Sequence, residues 1–157
     1  MQAVAHAVGV RGPSLYKRVR DRSEVMRLIA NDVLRELGGR LDTVAQKASP
    51  SDAVVAMARE YRAFAHANRQ AYALLFSPVP DESRADPELT HSISGILLRS
   101  VEQLAGEPDT LPAARLVVAF IHGFVSMELA GAFRLGGDVQ EAIDFALERL
   151  IAGIERP

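Results

Sequence analysis

From Asp21 onward the chain carries start and stop signals for helices at the intervals helices need, and no comparable signals for strands. Asp21-Arg22-Ser23-Glu24 and Asp138-Val139-Gln140-Glu141 have capping-box form, in which the first side chain holds free N–H groups of an opening helical turn. Ser49-Pro50 sets a cap before a proline at the first helical position, where the missing N–H leaves no gap. Between such signals Val and Ile fall in helix-spaced apolar patterns, and no Asn-Gly or Asp-Gly joins two strand-like runs. The expected fold class is therefore all-α.

The punctuation divides the chain in detail. Gln2 to Val8 reads as a short helix stopped by Gly9, and a second short helix opens at Pro13 and ends near Val19. A third is expected from Ser23 to about Ala45, weakened or bent at Gly38-Gly39. Pro50 to about Ala67 and Arg69 to Phe76 follow, separated at Asn68. The three prolines of Ser77 to Pro87 predict a loop, and Pro87 or Glu88 opens a helix to about Ala105. After a loop at Gly106 to Thr110, a long helix is predicted from Pro112 to about Leu135, stopped by Gly136-Gly137. The last runs from Asp138 to about Ile154. Residues 1–45 and 46–157 are expected to form two units.

Composition enters where it excludes. With 48% apolar and 24% charged residues the chain has the makings of a globular core. It has no cysteine, which removes disulfides, thiolate metal sites and thiol nucleophiles. The four histidines show no His-Glu-x-x-His spacing, and there is neither Gly-x-Ser-x-Gly nor a phosphate-cradling glycine loop, so neither catalysis nor a cofactor is expected. The longest uncharged apolar stretch, Leu116 to Met127, is twelve residues against the roughly twenty of a membrane span. No membrane partner is expected, and the expected location is cytoplasmic.

Charge is distributed unevenly. Residues 1–40 carry eight Lys or Arg against four Asp or Glu, whereas 41–157 carry ten against sixteen. A short basic block on an acidic body suits a local polyanion-binding surface. Its two short helices, joined by Gly9-Val10-Arg11-Gly12, have the form of a helix–turn–helix, which sets a second helix into the major groove of DNA. The N-terminus of that helix would present free N–H groups, with Arg11, Lys17, Arg18, Arg20 and Arg22 around it.

The segment VGVRGPSLYKRVRDRSEVMRLIA resembles the recognition region of the tetracycline-repressor (TetR) family: Gly9-Val10 at the turn, the Leu15-Tyr16 pair after it, Val19 closing the recognition helix and Arg22 entering the next. The resemblance implies that Arg11, Gly12, Pro13, Ser14 and Lys17 lie at or near base edges. It puts Tyr16 and Arg18 on the backbone or adjacent bases, Arg22 on a phosphate, and Gln2 on a first helix that also reaches DNA. It further implies a repressor that binds a palindromic operator as a homodimer. Family members carry a further helix ahead of this motif, and here Met1 falls where the first short helix begins, so a truncated helix–turn–helix is expected with Ala3, Val4, Ala7 and Leu28 uncovered. The alternative reading is a helical, ligand-binding dimer that no longer binds DNA.

Downstream, Ala58, Tyr61, Phe64, Ala65, Tyr72, Leu75 and Phe76 supply an apolar, partly aromatic cluster that reads either as plain core or as the wall of a small-molecule pocket. His122 and Glu128 sit in the most apolar helix and each needs a polar partner, structural or ligand. The segments YRAFAHANRQAYALLFS and VVAFIHGFVSMELAGAF are similar to a TetR subtype marked by Trp-His-Gly, although Ile121 stands before His122-Gly123 and the chain has no tryptophan. The resemblance implies a TetR-like ligand-binding and dimerisation body. Tyr61, Phe64, Tyr72, Phe76, Phe120, His122 and Met127 are its candidate contacts to a partly apolar effector. Val117, Phe124, Phe145, Leu147 and Ile151, on the last two helices, are the candidate dimer contacts.

Overall fold

The Asp21 carboxylate accepts a hydrogen bond from the Glu24 N–H at 2.9 Å and so opens α1, Arg22–Ala45. The computed structural model describes residues 19–156. Among them, five more α-helices follow: α2 (Pro50–Ala67), α3 (Arg69–Phe76), α4 (Pro87–Ala105), α5 (Thr110–Leu129) and α6 (Val139–Ile154). Short 3₁₀ turns at Asp81–Ser83 and Glu107–Asp109 sit in the two loops around α4. Ser49 caps α2 with Pro50 in its first turn, and Asp138 caps α6 by accepting from the Gln140 N–H at 2.7 Å. The expected helix–turn–helix, with Gln2, Arg11, Gly12, Pro13, Ser14, Tyr16, Lys17 and Arg18, lies outside the described residues.

α2 is the central helix and supplies both halves of the core. Ala53, Val54 and Met57 pack with Ile96 and Val101 of α4, Val117 of α5 and Ile151 and Ile154 of α6. One turn on, Ala58 and Ala65 join Tyr72, Ile121, Val125, Ile143 and Leu147 in a second cluster. Ile143, Leu147, Ile151 and Ile154 form a single helix-spaced stripe, so α6 seals both clusters along one face. Burying each such side chain stabilises the fold by roughly 1.5–3 kcal/mol.

One expectation needs correction. α5 stops at Leu129, not near Leu135. The Gly131 N–H bonds to the Glu128 carbonyl and the Ala132 N–H to the Met127 carbonyl, both at 2.9 Å, with Gly131 at φ +64°. That is the Schellman termination, and it needs a residue free to take positive φ. The apolar Phe133 and Leu135 beyond it extended the helical pattern without extending the helix. Glu107–Leu129 is also, by length and composition, apolar enough to cross a membrane. In the fold it holds Glu128 in an ion pair with Arg62 and packs one face into the core.

Gly38 and Gly39 both lie inside α1, which is helical through the pair. A Cβ added to Gly38 would lie 2.7 Å from Cγ1 of Ile93 on α4, whereas one on Gly39 would meet nothing within 4 Å. Gly38 thus allows α1 and α4 to approach closely. Opposite effects are expected from the same substitution at neighbouring sites. Gly39→Ala stabilises by about 0.5–1 kcal/mol through helix propensity, while Gly38→Ala destabilises by about 1 kcal/mol or more because overpacking outweighs that gain. Urea denaturation of the two variants checks this, and equal shifts of the same sign would refute the close-approach role.

Candidate functional site

An apolar cavity of about 850 Å³ lies between α1, α4 and α5, closed at one end by α3. The α1 wall is Ala30, Leu34, Leu37 and Leu41, a helix-spaced stripe, and Ile93 and Leu97 of α4 face it. The volume lies within the roughly 300–1,000 Å³ of small-molecule sites. Leu111, Val118 and Phe76 on its wall are about half exposed, so the cavity opens to the surface.

Its aromatic end brings together Tyr61, Tyr72, Phe76 and His122, which the sequence spreads over three helices. The Phe76 and His122 ring centroids are 4.1 Å apart, and Tyr61 meets Tyr72 edge-on at 5.6 Å. The Tyr61 hydroxyl lies 3.4 Å from that of Tyr72, and the Tyr72 hydroxyl 2.7 Å from His122 Nδ1. With the phenol donating to Nδ1, the proton of a neutral imidazole sits on Nε2, which has no partner among the described residues. Burial pushes the His122 pKa down, so the ring is neutral near neutral pH. Burial, then the hydrogen bond with Tyr72, pushes the Tyr61 phenol up. The arrangement places one neutral imidazole against aromatic rings at this end of the wall.

The residues picked from sequence divide as follows. Tyr61, Phe76 and His122 line the cavity, and Tyr72 stands behind His122. Phe64 is buried in the core, where the Arg40 guanidinium sits 5.5 Å from its ring centroid. Phe120 packs against Phe124, and Met127 is exposed; neither reaches the cavity. Of the dimer candidates, Val117 lines the cavity, and with Leu147 and Ile151 is buried within the chain, so these three offer no surface to a second copy. Phe124 is half-buried against Phe133, and Phe145 is exposed. Arg22 is the exposed first residue of α1. The α1 stripe is absent from the sequence-based candidates because α1 continues the basic segment, although its helix spacing is visible in the sequence.

Glu128, also on α5, does not line the cavity. Its carboxylate takes two hydrogen bonds from Arg62, at 2.6 and 2.8 Å, and one contact from His66 at 2.9 Å. The Arg62 hydrogen bonds, opposed by burial and helped by His66, hold its pKa down at about 2. At the rim, the buried Asn31 of α1 both donates to Asp86 Oδ2 at 2.7 Å and accepts from the Asp86 N–H at 2.8 Å. Arg27 adds a hydrogen bond to the other carboxylate oxygen at 2.7 Å, and these partners lower the Asp86 pKa, Arg27 first and Asn31 next. Among the described residues no three His, Cys, Asp or Glu side chains cluster as a metal site.

The comparisons give this helical body its class. A family profile described as Tetracyclin repressor-like, C-terminal domain, matches residues 54–150. An uncharacterized HTH-type transcriptional regulator of Mycobacterium tuberculosis, Rv0681, is 31% identical over 161 residues, covering 99% of this chain and 72% of its own length. The HTH-type transcriptional regulator Mb1846 of Mycobacterium bovis is 31% identical over 145 residues, covering 88% of this chain and 53% of its own. Among solved structures, SCO4313 superposes with a TM-score of 0.79 at 24% identity over 96% of this chain and 84% of its own. A protein of unknown function from Rhodococcus sp. RHA1 gives 0.80 at 22% over 99% and 84%. The chain belongs to the TetR family of helical transcriptional regulators.

Glu128 generates a prediction about stability. Because its folded pKa is depressed, its contribution is present above the unfolded value near 4.5 and is lost as pH falls through about 2. Glu128→Gln should cost about 1–3 kcal/mol near neutral pH. The difference from wild type should shrink through that acid window, as read by urea denaturation across pH. A pH-independent difference would show that the carboxylate charge is irrelevant.

Proposed function

We propose that the chain is a repressor that binds a palindromic operator as a homodimer and is released by a small, partly apolar effector held in the α1–α4–α5 cavity. The observation that carries this reading is the position of α1. The same helix follows directly on the basic segment and supplies a wall of the cavity, so a ligand that displaces α1 also displaces what precedes it. Arg11, Gly12, Pro13, Ser14, Tyr16, Lys17, Arg18 and Gln2 are the proposed DNA contacts, with Arg22 on a phosphate. Tyr61, Phe76 and His122 are the proposed effector contacts, Tyr72 fixing the His122 tautomer. The His122-Gly123 pair supports placement near the Trp-His-Gly subtype, and the proposed location is cytoplasmic.

The dimer surface we infer is the outward stripe of α5 with the neighbouring face of α6. Leu116 and Met127 are about half exposed on α5, and a Cβ on Gly123 between them would meet nothing within 4 Å. Phe145 on α6 is 62% exposed, large for an aromatic ring that dominates the energetics of the contacts it enters. A second copy seated there by two-fold symmetry would bury all four residues against their symmetry mates.

Two experiments test the reading. Selection from a random duplex pool, on this chain and on the product of the whole reading frame across a salt series, should enrich a palindrome with affinity falling steeply with salt. If neither enriches a sequence, DNA recognition is dropped in favour of a ligand-binding helical dimer. Separately, Gly123→Leu and Phe145→Glu should each convert a dimer to a monomer in size-exclusion chromatography with light scattering, at unchanged helix content. Retention of the dimer by both would place the interface elsewhere.

A further inference from the structure

Among the described residues, Arg84 and Arg115 are the only charged side chains on the cavity wall, and no carboxylate faces it. Both are exposed, at the rim. Arg115 has no ion-pair partner among the described residues, and Arg84 pairs at 3.0 Å with Asp81, whose side chain is 96% exposed. We propose that the cavity takes an elongated apolar molecule ending in a single acid group, a long-chain carboxylate, with the acid at Arg115 and the chain inside. This rests on the effector reading above and adds the chemical class of the ligand.

Several features favour this class over its rivals. A cationic ligand would meet the guanidinium of Arg115, unpaired among the described residues, and the one carboxylate nearby, Asp81, is already held by Arg84. A small hydrophilic anion would leave Leu34, Leu37, Met57, Ile93 and Leu97 facing water, with none of their apolar surface used. Leu111, Arg115, Val118 and His122 fall on one face of α5, with Arg115 and His122 seven residues, or about 10 Å, apart. The cation therefore stands at one end of an apolar track and the neutral imidazole at the other. Since burial keeps the His122 ring uncharged, the inner end gives no charge pairing to an acid group. An ionised carboxylate carried inward would also lose its water without gaining a cation, which leaves the rim as its favoured place.

The test is displacement of Nile red, a neutral apolar reporter, from the purified chain by dodecanoate, dodecanol and dodecylammonium below their micelle-forming concentrations. Dodecanoate should displace the dye at about tenfold lower concentration than dodecylammonium, a preference of about 1.4 kcal/mol, and added salt should shrink that ratio. The variant R115Q, at unchanged helix content, should bring the two close together while dodecanol is unaffected. If dodecylammonium competes as well as dodecanoate on the wild-type chain, the acid assignment is overturned while the cavity remains a ligand site. If the preference persists in R115Q, that arginine is not its origin and the proposal falls. If the dye does not bind and none of the three amphiphiles binds by calorimetry, the effector reading fails and takes this one with it.

Discussion

The contact between Asn31 and Asp86 is the constraint on which the cavity depends. Asn31 is 2% exposed next to the buried Ala30 of α1, and an unpartnered amide there would cost roughly 1–3 kcal/mol. Asp86 satisfies both ends of that amide, with its backbone N–H and one carboxylate oxygen, and gives its other oxygen to Arg27. The first turn of α4 is thereby fixed to α1 at one level, and the Gly38–Ile93 approach fixes it again two turns further on. Between and beside those points the two helices part, and the cavity occupies the gap. A dry void of this volume would cost on the order of 20 kcal/mol, more than the roughly 5–15 kcal/mol that holds a whole domain together. The fold avoids that cost by keeping the wall open at Leu111, Val118 and Phe76.

Much of the architecture is visible in the sequence because its information is local. Caps at Asp21, Ser49 and Asp138 and prolines at 50 and 87 act within one turn, and all mark helix starts in the structure. The end of α5 shows where local reading fails. Gly131 is the stop, but one glycine inside an apolar run carries less weight than the Gly136-Gly137 pair that begins five residues later, and only the paired N–H bonds of the Schellman turn separate them. Gly38 fails differently. Its propensity cost is local, and its benefit is a contact with a residue fifty-five positions away.

The candidate site follows the same division. Tyr61, Phe76 and His122 stand out in sequence because aromatic and imidazole groups are scarce in this chain, and they share the cavity wall. Phe64, Phe120 and Met127 look equally suitable by residue type, yet the angle at which each leaves its helix sends it to the core or to solvent. Arg84 and Arg115 could not be picked out among 18 Lys and Arg until the fold showed which charges border the cavity. Periodicity names the faces of a helix but not the neighbour each one meets.

The arrangement also limits how a ligand can act. Tight binding shifts no equilibrium unless the ligand contacts two arrangements of the chain unequally. Here the unequal element is α1, because the other walls belong to helices locked into the two core clusters by Val54, Val117, Ile143 and Leu147. α1 contributes few fully buried side chains, chiefly Ala30, Asn31 and Leu37, and its hold on α4 is polar at Asp86. A molecule that wedges Leu34 and Leu37 outward works against that clasp, the Gly38–Ile93 approach and the packing of Leu41, Val44 and Ala45 on the first core cluster. On the proposed reading, a ligand repositions α1 only through a differential affinity for its two positions, to which burial of its apolar chain contributes.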